Sequence, residues 1–271
     1  MKKIFILLML LLAFSGTSIL SYAQDSFMII EEMDNFIGVG VAALPDYVGS
    51  NNYTAGVAPF ARIALPKSER YFLLNVTELY FNMLDHPFLR FGPVLNYRFG
   101  RDDDVEDSHV KRMSKIDGTI EAGFFMGFNW KFDGDRRHRL VADAEALFDV
   151  GGVHEGVIGT FSARYWRPLG KMFDGVLGVG FQVADNKYMN KYFGVSASDS
   201  FLSGLPIYEP RGGTANFRIF PGVVMHLSRH WHLAGGIRYQ RLVEDAKDSP
   251  IVSIAGSADQ WIGGLGVAYS W

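Results

Sequence analysis

Between residues 117 and 132 the side chains split by parity, and that split constrains the fold more than any other feature of the chain. Gly118, Ile120, Ala122, Phe124, Met126, Phe128, Trp130 and Phe132 stand on one parity. Asp117, Thr119, Glu121, Gly123, Phe125, Gly127, Asn129 and Lys131 stand on the other. A strand sends successive side chains to opposite faces, so this segment is apolar on one side and mostly polar or small on the other. A helix would mix the two sets around its circumference.

The same alternation recurs at 88–99, 139–150, 215–227 and 231–242. Each run has more than ten residues, whereas an average strand in a soluble protein has about five or six. A tilted strand crossing a bilayer needs about 9–11 residues. Further candidates lie at 36–44, 54–65, 71–81, 156–166, 173–184 and 259–271, with alternation poorest at 71–81. Aromatic residues such as Tyr97, Trp130, Tyr165, Trp231, Tyr239, Trp261 and Tyr269 stand near strand ends, as in the girdles of membrane barrels. A soluble β-sandwich would explain alternation but not the strand length, the girdles or so apolar an outer face. Connections at 66–70, 133–138, 168–172 and 228–230 are short, and those at 100–116, 185–214 and 243–258 are long. Bacterial barrels have short periplasmic turns, longer external loops and an even number of strands. The reading is therefore an all-β, transmembrane antiparallel β-barrel. Eleven candidate strands give twelve, the expected count, if residues 27–35 supply another, with ten as the alternative if a weak one drops out.

The N-terminus fits export. Lys2 and Lys3 precede an apolar run from 4 to 14, and Ser21-Tyr22-Ala23 offers a small-x-small cleavage site. That pattern is a secretory signal peptide, expected to be cleaved after Ala23, with residues 24–271 forming one barrel domain. Beyond it no stretch of about 18 residues is apolar without charges, so no helical span is expected. A chain without cysteine is not a disulfide-stapled secreted domain, and a net charge of −3 does not point to nucleic acid.

Parity assigns Arg90, Arg98, Glu121, Lys131, Asp143, Glu145, Arg164, Arg218 and Arg238 to the inward face. Paired carboxylates perform acid–base chemistry in some sites. Opposite charges facing one another in a narrow lumen are more simply an ion-pair network, with a small pore lining as the second reading. His226, His230 and His232 straddle an expected hairpin without a cysteine or a neighbouring carboxylate in sequence, so they read as polar turn residues rather than metal ligands. The acidic stretch 102–107 lacks the ligand spacing of a calcium loop. It reads as a solvated external loop bridged by divalent ions to lipopolysaccharide. No coherent Ser–His–acid set is apparent, so the expectation is a non-enzymatic protein without a cofactor. The longest loop carries Tyr188, Tyr192, Phe193, Leu205 and Tyr208, too apolar for a disordered segment. Folding inward as a lid and binding a partner both satisfy that composition.

Tyr269 and Trp271 continue an outward apolar stripe to the C-terminus, which looks like the signal that the barrel-assembly machinery reads. Several segments, in order, resemble the MipA/OmpV family of outer-membrane proteins. They are Gly38-Val39-Gly40-Val41 with Pro45-Asp46-Tyr47-Val48-Gly49-Ser50, then Arg90-Phe91-Gly92-Pro93-Val94-Leu95-Asn96-Tyr97-Arg98 and Arg101-Asp102-Asp103-Asp104. Tyr188-Met189-Asn190-Lys191-Tyr192-Phe193-Gly194-Val195, Ser203-Gly204-Leu205-Pro206 and Asp248-Ser249-Pro250-Ile251-Val252 follow. The resemblance implies residence in the outer membrane of a Gram-negative bacterium, among its lipids and lipopolysaccharide. It also implies a scaffold bridging a lytic transglycosylase and a penicillin-binding protein. Two other functions stay open: a small-solute, porin-like channel, and a surface adhesin or receptor.

Overall fold

A computed structural model describes residues 33–271. The expected leader at 1–23 and most of the candidate strand at 27–35 lie outside these residues. Twelve strands form one closed antiparallel barrel in simple meander order. They are β1 (Asn35–Pro45), β2 (Tyr53–Ala64), β3 (Tyr71–Asn75), β4 (Glu78–Asn82), β5 (Leu89–Arg98) and β6 (Thr119–Lys131). They continue with β7 (Arg139–Asp149), β8 (Val157–Pro168), β9 (Phe173–Ala184), β10 (Gly213–His226), β11 (Trp231–Leu242) and β12 (Asp259–Ser270). β1 pairs with β12 from Phe36↔Ser270 to Ala43↔Gly263, which closes the sheet and leaves no terminal edge strand.

The count of twelve holds, but the twelfth strand does not come from residues 27–35. The segment at 71–81, read as one strand, is instead a hairpin of two five-residue strands, β3 and β4, joined at Val76 and Thr77. Tyr71, Leu73 and Asn75 face inward from β3, and Glu78, Tyr80 and Asn82 from β4, so the inward parity changes from odd to even at the turn. That reversal is why alternation was poorest here. Val76 takes φ 57°, unfavourable for a β-branched residue, yet its side chain is buried in the lower core. Burial of an aliphatic side chain gives about 1.5–3 kcal/mol, enough to offset a left-handed residue costing about 1–2 kcal/mol.

The short turns and both strand termini gather at one end, which is the periplasmic end by the usual asymmetry of such barrels. The long connections at the other end carry a 3₁₀ turn (Val110–Arg112) and helices α1 (Asn186–Phe193), α2 (Ala197–Ser203), α3 (Glu244–Asp248) and α4 (Pro250–Ser253). Among the described residues no helix is long and apolar enough to cross a membrane. The outer wall carries exposed apolar residues such as Val41, Leu95, Ile120, Phe124, Leu177 and Leu265. The inside is filled in layers. Phe36, Phe60, Tyr71, Leu73, Trp166, Val176 and Val224 form an apolar plug toward the periplasmic end. A second apolar cluster under the external mouth joins Ile158, Ala215 and Leu242 of the wall to Tyr188, Met189 and Phe193 of α1. Charged residues occupy the space between.

Candidate functional site

The upper charged layer centres on Glu121 of β6, whose side chain is fully buried. Arg98 of β5 donates to it through Nε at 2.7 Å and Nη2 at 3.2 Å, and Asn96 Nδ2 donates at 2.7 Å. His154, from the connection after β7, places Nε2 at 2.9 Å from the same carboxylate. Gly156 N–H donates to His154 Nδ1 at 3.0 Å, so the ring proton facing Glu121 is on Nε2. Arg98 also reaches the Tyr188 hydroxyl at 3.2 Å and lies over the Tyr188 and Tyr192 rings. Two luminal residues from the wall and two aromatic residues from the longest loop thus form one assembly, and α1 is the element that brings them together. Asp185 caps α1 by accepting from Tyr188 N–H, which fixes where the helix starts.

The middle layer holds Arg90, Asp143 and Arg164, from β5, β7 and β8. Arg90 Nη2 approaches Asp143 Oδ1 at 2.5 Å, and Arg164 pairs with the other oxygen. Beside them the Tyr80 hydroxyl lies 2.7 Å from Glu145 Oε2 and 3.0 Å from Glu78 Oε2, while Asn75 Nδ2 donates to Glu78 at 3.0 Å. Arg218 and Arg238 are buried at the same side of the lumen and line its small cavities. Lys131 has the inward parity but stands at the periplasmic rim, where its charge acts on Asp34. The cavity inside this layer has a volume of about 70 Å³, and the one beneath α1 about 30 Å³. A cavity needs about 10–15 Å³ of such volume to hold one water, so these spaces have room for a few waters.

The external mouth is shut by a lid. Tyr192, Phe193 and Leu205 are buried, Tyr188 is 2% exposed, and the half-buried Tyr208 donates its hydroxyl to Asp245 C=O at 2.9 Å. In this conformation these loop residues face the barrel interior and each other. Tyr47, Val105, Val110, Met113, Val195 and Ile251 pack above them. Gly49 permits this closeness: it has φ +94°, and a Cβ there would lie 2.5 Å from Val252 of α4. Partial burial pushes the Asp199 carboxyl up, but hydrogen bonds from Ser114 outweigh it and hold the group below its ordinary value of 3.8. The Ser114 N–H···Asp199 bond of 2.7 Å ties α2 to the 99–118 connection.

The periplasmic end is also closed. Arg136, in the turn between β6 and β7, pairs across the mouth with Asp34 before β1. The bond from Arg136 holds the Asp34 carboxyl below its ordinary value. The histidines are not without a carboxylate, as the sequence had suggested. His226 Nε2 lies 2.7 Å from Asp174 Oδ2, its Nδ1 lies 2.8 Å from His232 Nδ1, and His232 Nε2 lies 2.9 Å from Ser270 Oγ. Strand pairing brings Asp174 of β9 beside β10, a neighbour that sequence distance hides. Arg137 also holds Asp174, so the chain of bonds joins β9, β10, β11 and β12 at the rim. Asp102, Asp103 and Asp104 bring their carboxylates close together on the exposed external loop, where Lys115 pairs with Asp103 at 2.5 Å. At the C-terminus, Tyr269 packs on Trp231 and Trp271, and Trp271 N–H donates to Asn35 C=O at the barrel seam.

Parity alone missed Glu78, Tyr80 and Asn75, because the reversal at Val76 scrambled their segment. It missed His154 and Asn96 as partners of Glu121, because alternation gives a residue's face and not its neighbour.

The model of the family described as MipA, MltA-interacting protein, matches residues 37–271. None of the curated proteins matches the chain. Among solved structures, an outer membrane channel from Pseudomonas putida F1 is similar at a TM-score of 0.48 and 10% identity, covering 88% of this chain and 96% of that one. OmpT, an outer membrane protein of Vibrio cholerae, is similar at 0.40 and 8% identity, covering 88% and 96%. An anion-selective porin from Comamonas acidovorans is similar at 0.39 and 9% identity, covering 88% and 98%.

Proposed function

The chain belongs to the family of MltA-interacting proteins, MipA, and from that premise we propose that this outer-membrane barrel is a non-enzymatic scaffold for murein enzymes. It would hold a lytic transglycosylase and a penicillin-binding protein at the inner surface of the outer membrane, after export by its N-terminal leader. The observation that carries the reading is the sealed interior. Two apolar layers and two ion-pair layers fill the barrel from Phe36 to α1, so its working surfaces are the turns and the outer wall. Because the long loop folds into the mouth, the surface for periplasmic partners falls to the short turns. These carry Lys67, Arg70, Arg136, Arg137, Lys171 and Arg229 against Glu69, Asp85, Asp133 and Asp135, while the external connections are predominantly acidic. Charges at a rim steer encounter more than they add affinity.

The test is a pull-down with tagged mature protein from mildly cross-linked, detergent-solubilised envelopes, read by mass spectrometry. Joint enrichment of a lytic transglycosylase and a penicillin-binding protein supports the scaffold, and reversal of Lys67, Arg70, Lys171 and Arg229 to glutamate should weaken it. A clean preparation without murein enzymes removes the reading. The channel alternative requires an opening through both apolar layers, and planar-bilayer conductance of the purified protein decides it.

A further inference from the structure

One sector of the barrel wall is incomplete. β3 and β4 have five residues each, so they extend about 17 Å along their axes and less along the membrane normal, because strands of such barrels tilt by about 35–45°. The apolar band of an outer-membrane barrel is about 25 Å tall. The hairpin therefore fills only the periplasmic part of its sector. β2 pairs with β3 from Phe60 to Ala64 only, whereas its ladder with β1 continues to Tyr53.

The direction of the free groups follows from the ladder. Within a strand, N–H and C=O of one residue point to the same side, and successive residues point to opposite sides. Val76 N–H donates to Pro59 C=O and Leu65 N–H donates to Arg70 C=O, so odd-numbered residues along β2 address the hairpin side. Ala55 and Val57 thus aim their N–H and C=O into the gap above the hairpin tip, and among the described residues no hydrogen bond reaches them there. The gap lies at membrane depth. Val57 stands opposite Val41 and Val41 opposite Leu265, both exposed on the lipid-facing wall. Above them, the Tyr53 hydroxyl accepts from Trp261 N–H at the outer aromatic girdle.

Hydrocarbon cannot satisfy backbone groups, and open sheet edges do not persist in it. We infer that the upper edge of β2 is a docking edge for one extended strand of a partner polypeptide. Only another backbone offers donors and acceptors at the two-residue repeat that Ala55 and Val57 present. The added strand carries apolar side chains toward lipid and small ones inward, beside the buried Gly56 and Ala58. A second copy of this chain does not fit. Two copies sharing a membrane normal tilt β2 in opposite senses, so the strands would cross at about 70–90° instead of running side by side. The inference does not rest on the scaffold reading, whose surface is the periplasmic rim.

Two measurements test it. In phospholipid nanodiscs, the purified protein should exchange the amides of Ala55 and Val57 about 100-fold faster than those of Gly56 and Ala58, read by NMR. Equal protection means that the chain satisfies its own edge, and overturns the inference. In intact envelopes, a photoreactive residue at position 57 should give a discrete polypeptide adduct mapping to an extended segment, and one at position 41 should give none. Ala55→Pro should abolish that adduct while the folded barrel persists, since Pro59 already shows that proline at an odd position leaves the β1 ladder intact. Val57→Pro, with the photoreactive residue at position 55, serves if Ala55→Pro fails to fold. Adducts to lipid alone, to a second copy, to the chain's own residues 24–32, or unaffected by proline, overturn the proposal.

Discussion

Glu121→Ala separates the lid from the wall. In the closed barrel Glu121 accepts from Arg98, Asn96 and His154, and the Arg98 side chain is only 4% exposed. Removing one partner of a buried ion pair costs about 3–5 kcal/mol, because the other charge stays desolvated. Opening the lid lets water reach Arg98, so this cost weighs on the closed state and not on the open one. The lid keeps other anchors: Tyr188, Met189, Tyr192 and Phe193 are all buried, and at about 1.5–3 kcal/mol each they contribute roughly 6–12 kcal/mol. The variant should therefore remain closed on average while opening far more often. At 1.4 kcal/mol per decade, the opening equilibrium rises by about two to three and a half orders of magnitude. Hydrogen-exchange mass spectrometry of the peptide covering α1, in nanodiscs, reads that quantity directly. The double variant Arg98→Met, Glu121→Leu should recover most of the protection, since apolar replacement of a whole buried pair is often neutral. A rise of less than tenfold in Glu121→Ala would refute the claim that this ion pair locks the lid.

Phe60→Ala, in the lower plug, should lower the unfolding free energy by about 3–5 kcal/mol in urea titrations of vesicle-embedded protein. Deleting residues 187–211 should leave the protein non-conducting in planar bilayers, because the lower plug remains. Adding Phe36→Ala, Phe60→Ala and Trp166→Ala to that deletion should open a channel. The depressed carboxyl of Asp199 stabilises the lid above its unfolded value of 3.8 and loses that contribution as pH falls through its lower folded value. Exchange at α2 should thus rise only below about pH 4, with Asp199→Asn showing no such step and the effect staying within about 1 kcal/mol after screening. Trp271→Ala removes a ring stacked on Tyr269 at the β1–β12 seam, and the level of folded barrel in envelopes should fall; a normal level would sink the assembly role.

What was legible in the sequence follows from what alternation encodes. Parity tells which face a side chain takes, and it placed Arg90, Arg98, Glu121, Asp143 and Arg164 inside, where they pair. It does not tell which strand lies opposite, so the contacts of Glu121 with His154 and of His226 with Asp174 had no sequence signal. The apolar loop was legible as a folding segment, yet composition could not choose between facing in and facing out. Arg98 decides, because a buried guanidinium under an open mouth gains from two tyrosine rings closing over it. The hairpin at Val76 shows the limit most clearly. A run at 71–81 is long enough for one spanning strand, and only the change of parity at the turn reveals two strands too short to span. Had that run been one strand, the barrel would have had an odd count, and β1 could not have met β12 in antiparallel order. Splitting it restores the even number at a cost: the wall above the tip loses two strands' width. The incomplete sector is thus the geometric consequence of the tight turn at Val76 and Thr77. Val76→Gly, which relieves the turn but empties its place in the plug, should leave the hairpin short.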